Sequence, residues 1–159
     1  MTWKYLYSEP FKTRYVLSAY FLKECEEIIE IGGFKTPITD FVGGKKTIVV
    51  DPLIEPIHTE TSQHLAITFD NYGVLMLGLD VIMPEEGWTK LYKLISGSSI
   101  TVLETPLDYA PSLVQLNSIL RNTNKKTKIS FMLDLTGNNF GDMTDSYPPF
   151  CRRQMHVLQ

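Results

Sequence analysis

The chain has 159 residues, 43% of them hydrophobic and 21% charged, with a net charge of −3. That is the composition of one soluble domain, large enough to bury most of its apolar surface. The acidic balance argues against a nucleic-acid partner held through its phosphates, and no apolar run approaches the ~18 residues that a membrane span needs.

Two cysteines, Cys25 and Cys151, stand far apart, so they form neither a disulfide framework nor a CxxC metal site. His58, His64 and His156 show no ligand spacing, and no metal is expected. The opening MTWKYLYSEPFKTRY lacks the apolar core of a signal peptide, which makes a reduced cytoplasm the expected compartment. Lys125, Lys126 and Lys128 are the only basic cluster and read as a solvated strand entrance.

Residues 11–24, FKTRYVLSAYFLKE, have helical periodicity, with a stripe of Val16, Ala19, Tyr20 and Lys23 widened by Tyr15 and Leu22. EIIEI, 27–31, is a first strand. Gly32-Gly33 then forms a turn, and Thr36 can cap a short helix with Pro37 first and Gly43 after its end. TIVVD, 47–51, is a β-branched run of the kind buried on both faces of a sheet. Pro52 and Pro56 shorten or abolish any helix that follows.

HLAITFD, 64–70, reads as a third strand, Asn71-Tyr72-Gly73 as a turn, and VLMLGLDV, 74–81, as a fourth strand. Pro84, Glu85 and Glu86 open a helix whose stripe is Trp88, Leu91, Tyr92 and Ile95, stopped by Gly97. SITVLET, 99–105, is a fifth strand. Pro111 opens a helix carried by Leu113, Leu116, Ile119 and Leu120. KISFMLDL, 128–135, is a sixth strand, and RRQMHVLQ, 152–159, a seventh. The link between these last two holds two prolines and no helical pattern, so the seventh strand is expected to run antiparallel. Strands alternating with amphipathic helices predict an α/β domain over 1–159: a mostly parallel sheet of about seven strands with helices on both faces.

An opening helix, this alternation and an antiparallel last strand resemble class I S-adenosylmethionine-dependent methyltransferases, whose sheet is Rossmann-like, over nearly the whole chain. Glu30-Ile31-Gly32-Gly33 is similar to the family's first motif, an acid followed by glycines at the end of the first strand. Asp51, 19 residues after Gly32, is similar to the acid that ends the second strand. Residues 78–106 are similar to the family's fourth strand, helix and fifth strand. The glycine pattern departs from E-x-G-x-G-x-G, because Phe34 and Thr36 stand at its second and third glycines. The acid-histidine pair often found after the fourth strand is replaced by Asp80-Val81-Ile82-Met83-Pro84.

The resemblance implies S-adenosylmethionine as cofactor, a cofactor half at 27–73 and a substrate half at 74–159. Gly32, Gly33 and Phe34 would face the cofactor, and Asp51 its ribose; a cap on the turn before Pro52 is the alternative for Asp51. Glu30 either meets the cofactor's ammonium or bonds backbone N–H groups, since a carboxyl there must be paired or hydrogen-bonded. Asp70 either touches adenine or makes an Asp-Asn turn. Asp80 lies where ligands bind in open α/β sheets and is the expected substrate-side acid or base, with helix capping as its other reading. Asp108, Asn138, Asp142 and Tyr147 are the expected substrate contacts, the last three on a loop hung over the crevice, where a plain surface loop is the alternative.

The function this implies is methyl transfer to a small polar molecule. A non-catalytic binding or scaffold module on the same fold is the alternative, because fold does not dictate function. Assembly with copies of itself stays open.

Overall fold

The computed structural model describes residues 9–32, 38–50, 70–77, 85–106, 110–134 and 152–159. They hold three α-helices, α1 (Glu9–Phe21), α2 (Glu85–Gly97) and α3 (Ala110–Asn122), and a 3-10 turn at Ile38–Phe41. Six strands form one sheet: β1 (Glu27–Ile31), β2 (Lys46–Val50), β3 (Tyr72–Leu77), β4 (Ile100–Pro106), β5 (Thr127–Asp134) and β6 (Arg152–Leu158).

Their order is β2-β1-β3-β4-β6-β5. The first four pair in parallel, and β6 runs antiparallel between β4 and β5. The expected reversal of the last strand is therefore present. Where about seven strands were expected, six lie in the described residues. The expected third strand at 64–70 falls outside them except for Asp70, which occupies a bend.

β1 is the most enclosed strand, bonded to β2 on one side and β3 on the other, and all five of its residues are buried. Its alternate side chains feed two cores. Ile29 and Ile31 join Tyr72, Val74, Met76 and Leu103 beneath Trp88, Leu91 and Ile95 of α2 and Leu116 and Ile119 of α3. Ile28 joins Leu75, Val102, Met155 and Val157 beneath Tyr15 of α1 and Leu22 just beyond its end. The expectation of helices on both faces holds, and Trp88 is core as its helical spacing predicted.

Two sequence expectations are corrected. The Asn71-Tyr72-Gly73 turn is shorter than expected, because Tyr72 and Gly73 already pair with Glu27 and Ile28 as the first residues of β3. A boundary between halves at residue 73 thus cuts a strand. In α1 the expected apolar stripe is split: Tyr15 and Leu22, which widened it, are buried, but Val16 is 56% exposed and Tyr20 60%. Beside Tyr15, the face against the sheet carries the polar Arg14 and Ser18. Periodicity points to the apolar side of a helix, but here the sheet beneath holds buried carboxylates that need a cationic cover.

Gly73 is required by packing. A Cβ there would stand 2.5 Å from Leu22 Cδ2 and 3.0 Å from Cys25 Sγ. Gly73→Ala is expected to destabilise the protein by about 1–3 kcal/mol through overpacking. Urea unfolding measures this, and the penalty shrinks in a Leu22→Val background, where the clashing methyl is gone.

Candidate functional site

Parallel strands deliver their last residues to one edge of the sheet, and ligands of open α/β sheets bind outside that carboxyl edge. Here the edge is formed by the ends of β1, β3 and β4. Arg153, at the start of the reversed β6, pairs with Pro106 and so stands at the same edge.

At the end of β1 the chain turns through Gly32, whose φ of +84° is a left-handed conformation. No described atom lies within 4 Å of where a Cβ would stand on it. Among the described residues the backbone is thus open on that side, the property a turn needs if a ligand is to approach it closely.

Two residues earlier, Glu30 is 1% exposed. Its Oε2 accepts the backbone N–H of Ile38 at 2.6 Å, and the Tyr15 hydroxyl bonds the same carboxyl. The bond clamps both ends of the segment between Gly32 and the 3-10 turn. Of the two roles open to Glu30, the geometry supplies the bond to backbone. Burial pushes its pKa up to about 7, against the opposing pull of the Ile38 N–H, Tyr15 and Arg14.

On the same face of the sheet Glu104 is fully buried between two arginines. Arg14 of α1 grips it as a fork, Nε to Oε2 at 2.8 Å and Nη2 to Oε1 at 2.6 Å. Arg153 Nε donates to Oε1. Desolvation pushes the Glu104 carboxyl up, but the Arg14 and Arg153 guanidiniums more than offset it and hold it below the usual carboxylate range. Bonded to both arginines, this carboxylate ties α1, β4 and β6 together beneath the crevice. The sequence carried a faint signal for it, an acid directly after the apolar pair Val102-Leu103, but its partners lie 90 and 49 residues away.

The other face carries a polar relay. His156 Nε2 lies 3.2 Å from Thr105 Oγ1 and its Nδ1 3.1 Å from Ser130 Oγ, which also accepts from Gln154 Nε2 at 2.9 Å. Burial lowers the His156 pKa, and Glu104 pulls the other way. With both ring nitrogens bonded, His156 is a satisfied core histidine.

The expected site residues divide into three groups. Glu30 and Gly32 stand together at the carboxyl edge. Asp70 does not join them: it is exposed and precedes β3, at the amino end of the sheet, where the backbone of its neighbour Asn71 meets Glu26. Gly33, Phe34, Asp51, Asp80, Asp108, Asn138, Asp142 and Tyr147 lie outside the described residues. Among the described residues no three metal-ligating side chains come together, and no helix is long and apolar enough to cross a membrane. A groove of about 870 Å³ between α2 and α3, bordered by Trp88, Tyr92, Lys93 and Gln115, has no strand residue in its lining and belongs to the outer surface of that helix pair.

A parallel sheet entered through a glycine turn and closed by a reversed strand between β4 and β5 defines the class I methyltransferase-like fold. Solved structures carry the same architecture. The N-methyltransferase NodS from Bradyrhizobium japonicum WM9, in complex with S-adenosyl-L-homocysteine, superposes with a TM-score of 0.56 at 10% identity, over 98% of this chain and 90% of that one. Magnesium protoporphyrin IX methyltransferase from Synechocystis PCC 6803, with bound S-adenosylmethionine, gives 0.51 at 14% identity, over 94% of this chain and 79% of that one. A S-adenosylmethionine-dependent methyltransferase from Archaeoglobus fulgidus gives 0.51 at 14% identity, over 94% and 93%. No protein-family model matches the chain, and no curated protein matches it by sequence.

Proposed function

We propose that this protein is a S-adenosylmethionine-dependent methyltransferase acting on a small polar molecule. The observation that carries the reading is the left-handed Gly32 turn at the carboxyl edge of β1, open among the described residues, in a fold shared with structures that hold this cofactor or its demethylated product. Gly32 and Gly33 would lie against the cofactor, with Phe34 beside it and Asp51 on the ribose hydroxyls. Glu30 serves from below by fixing the turn. The cofactor supplies an activated methyl group, so the protein's tasks are alignment of the acceptor and removal of a proton. Asp80 is the proposed base, and Asp108, Asn138, Asp142 and Tyr147 the proposed substrate contacts. The formal charge of −3 favours a small acceptor over a nucleic acid.

Isothermal titration with S-adenosylmethionine and S-adenosylhomocysteine tests the reading. Binding is expected for both, and Asp51→Ala weakens it by about ten- to a hundredfold through loss of charge-assisted ribose bonds, leaving the thermal midpoint in place. Absence of heat with either ligand at hundreds of micromolar overturns it.

A further inference from the structure

β5 ends the described sheet, with β6 on one side and no described strand on the other. An open edge is a template for another chain, and proteins usually blunt one with charge, proline or a bulge. β5 has a bulge between Thr127 and Ile129, but from Ile129 to Asp134 it pairs regularly and contains no proline. Its one lysine, Lys128, is tied to its own chain through Gln159 Oε1 at 2.8 Å.

Exposed apolar side chains flank this edge on both faces. On the α1 face Ile129 is 40% exposed and shares a hollow with Tyr20, which is 60% exposed. Val16, one helical turn before Tyr20, is 56% exposed. On the other face Met132 is 64% exposed.

We propose that β5 is a dimerisation edge, pairing antiparallel with β5 of a second copy about a two-fold axis at Phe131. Side chains opposite one another in an antiparallel pair share a face, so a two-fold axis must pass through a residue position. At Phe131 it sets Ile129 opposite Leu133 on the α1 face and Ser130 opposite Met132 on the other. The same axis brings the basic amino end of each strand, with Lys126 and Lys128, beside the Asp134 end of its partner. The interface is isologous and closes at two copies, and the two sheets become one of twelve described strands.

Sedimentation equilibrium on the full chain tests this. The expected result is a reversible dimer of twice the 18.2 kDa chain mass, with Met132→Lys raising the dissociation constant at least tenfold. Val114→Lys is the control: that residue is 61% exposed on α3, outside β5, and its dimer keeps wild-type affinity. Hydrogen exchange at 127–134 slows as concentration rises through the transition. A chain that stays monomeric at millimolar concentration overturns the proposal. So does a dimer that Met132→Lys leaves intact while exchange at 127–134 is independent of concentration.

Discussion

Glu104→Gln is expected to destabilise the protein by about 3–5 kcal/mol, the usual penalty for removing one partner of a buried ion pair. The two guanidiniums, Arg14 and Arg153, are 6% and 5% exposed and would lose the carboxylate that both of them bond. For a domain of this length the thermal midpoint falls by about 10 °C, and urea unfolding measures the free energy directly. The opposite outcome is expected when the whole cluster is replaced. Arg14→Met, Glu104→Leu and Arg153→Met together recover most of the loss, because no charge then stays buried without its counter-charge. A Glu104→Gln protein as stable as wild type would show that the cluster contributes nothing to the fold.

The second large effect is on pH dependence. Glu30 has a folded pKa of about 7 against an ordinary value of 4.5. Between these values the folded state holds a proton that the unfolded state has released, so stability falls as pH rises from 4.5 to 7 and levels off above. At 1.36 kcal/mol per pKa unit the change is about 3 kcal/mol. His156 acts in the opposite sense: its pKa is lowered by burial, so its contribution is lost as pH falls below its ordinary 6.5. The two overlap, and Glu30→Gln separates them. The amide oxygen still accepts the Ile38 N–H, so the clamp persists without the titration. Wild-type minus Glu30→Gln unfolding free energy, measured from pH 4.5 to 8, is expected to decline across the window. A flat difference would remove the raised carboxyl from the account.

These two carboxyls mark the division between what is local in the sequence and what is not. Glu30 was legible as a group needing a partner, since Ile29 and Ile31 flank it in a strand. That its partner is Ile38 N–H was not, because the bond depends on how the chain returns after Gly32. Nothing next to Glu104 in the sequence names its partners, which are set only when α1 crosses β4 and β6 delivers Arg153. Likewise α1 reads as a helix with an apolar stripe, yet Val16 and Tyr20 face outward, since burial of two carboxyls on that side of the sheet selects the Arg14 face. Tyr72 and Gly73 looked like a turn by composition; pairing with β1 makes them strand.

By itself the sequence determined most of the described helices and strands, the parallel pairing, the reversed last strand and the glycine turn at the end of β1. Those follow from local rules: β-branched runs, helical spacing, prolines that forbid a crossover helix, and a glycine at a left-handed position. Only the tertiary structure decided which face of α1 is buried, which charges meet beneath the crevice, and that Asp70 stands at the far end of the sheet from Gly32. The reason is distance along the chain. The energy of a buried carboxylate depends on groups 49 and 90 residues away, and no local pattern encodes a partner brought by a fold.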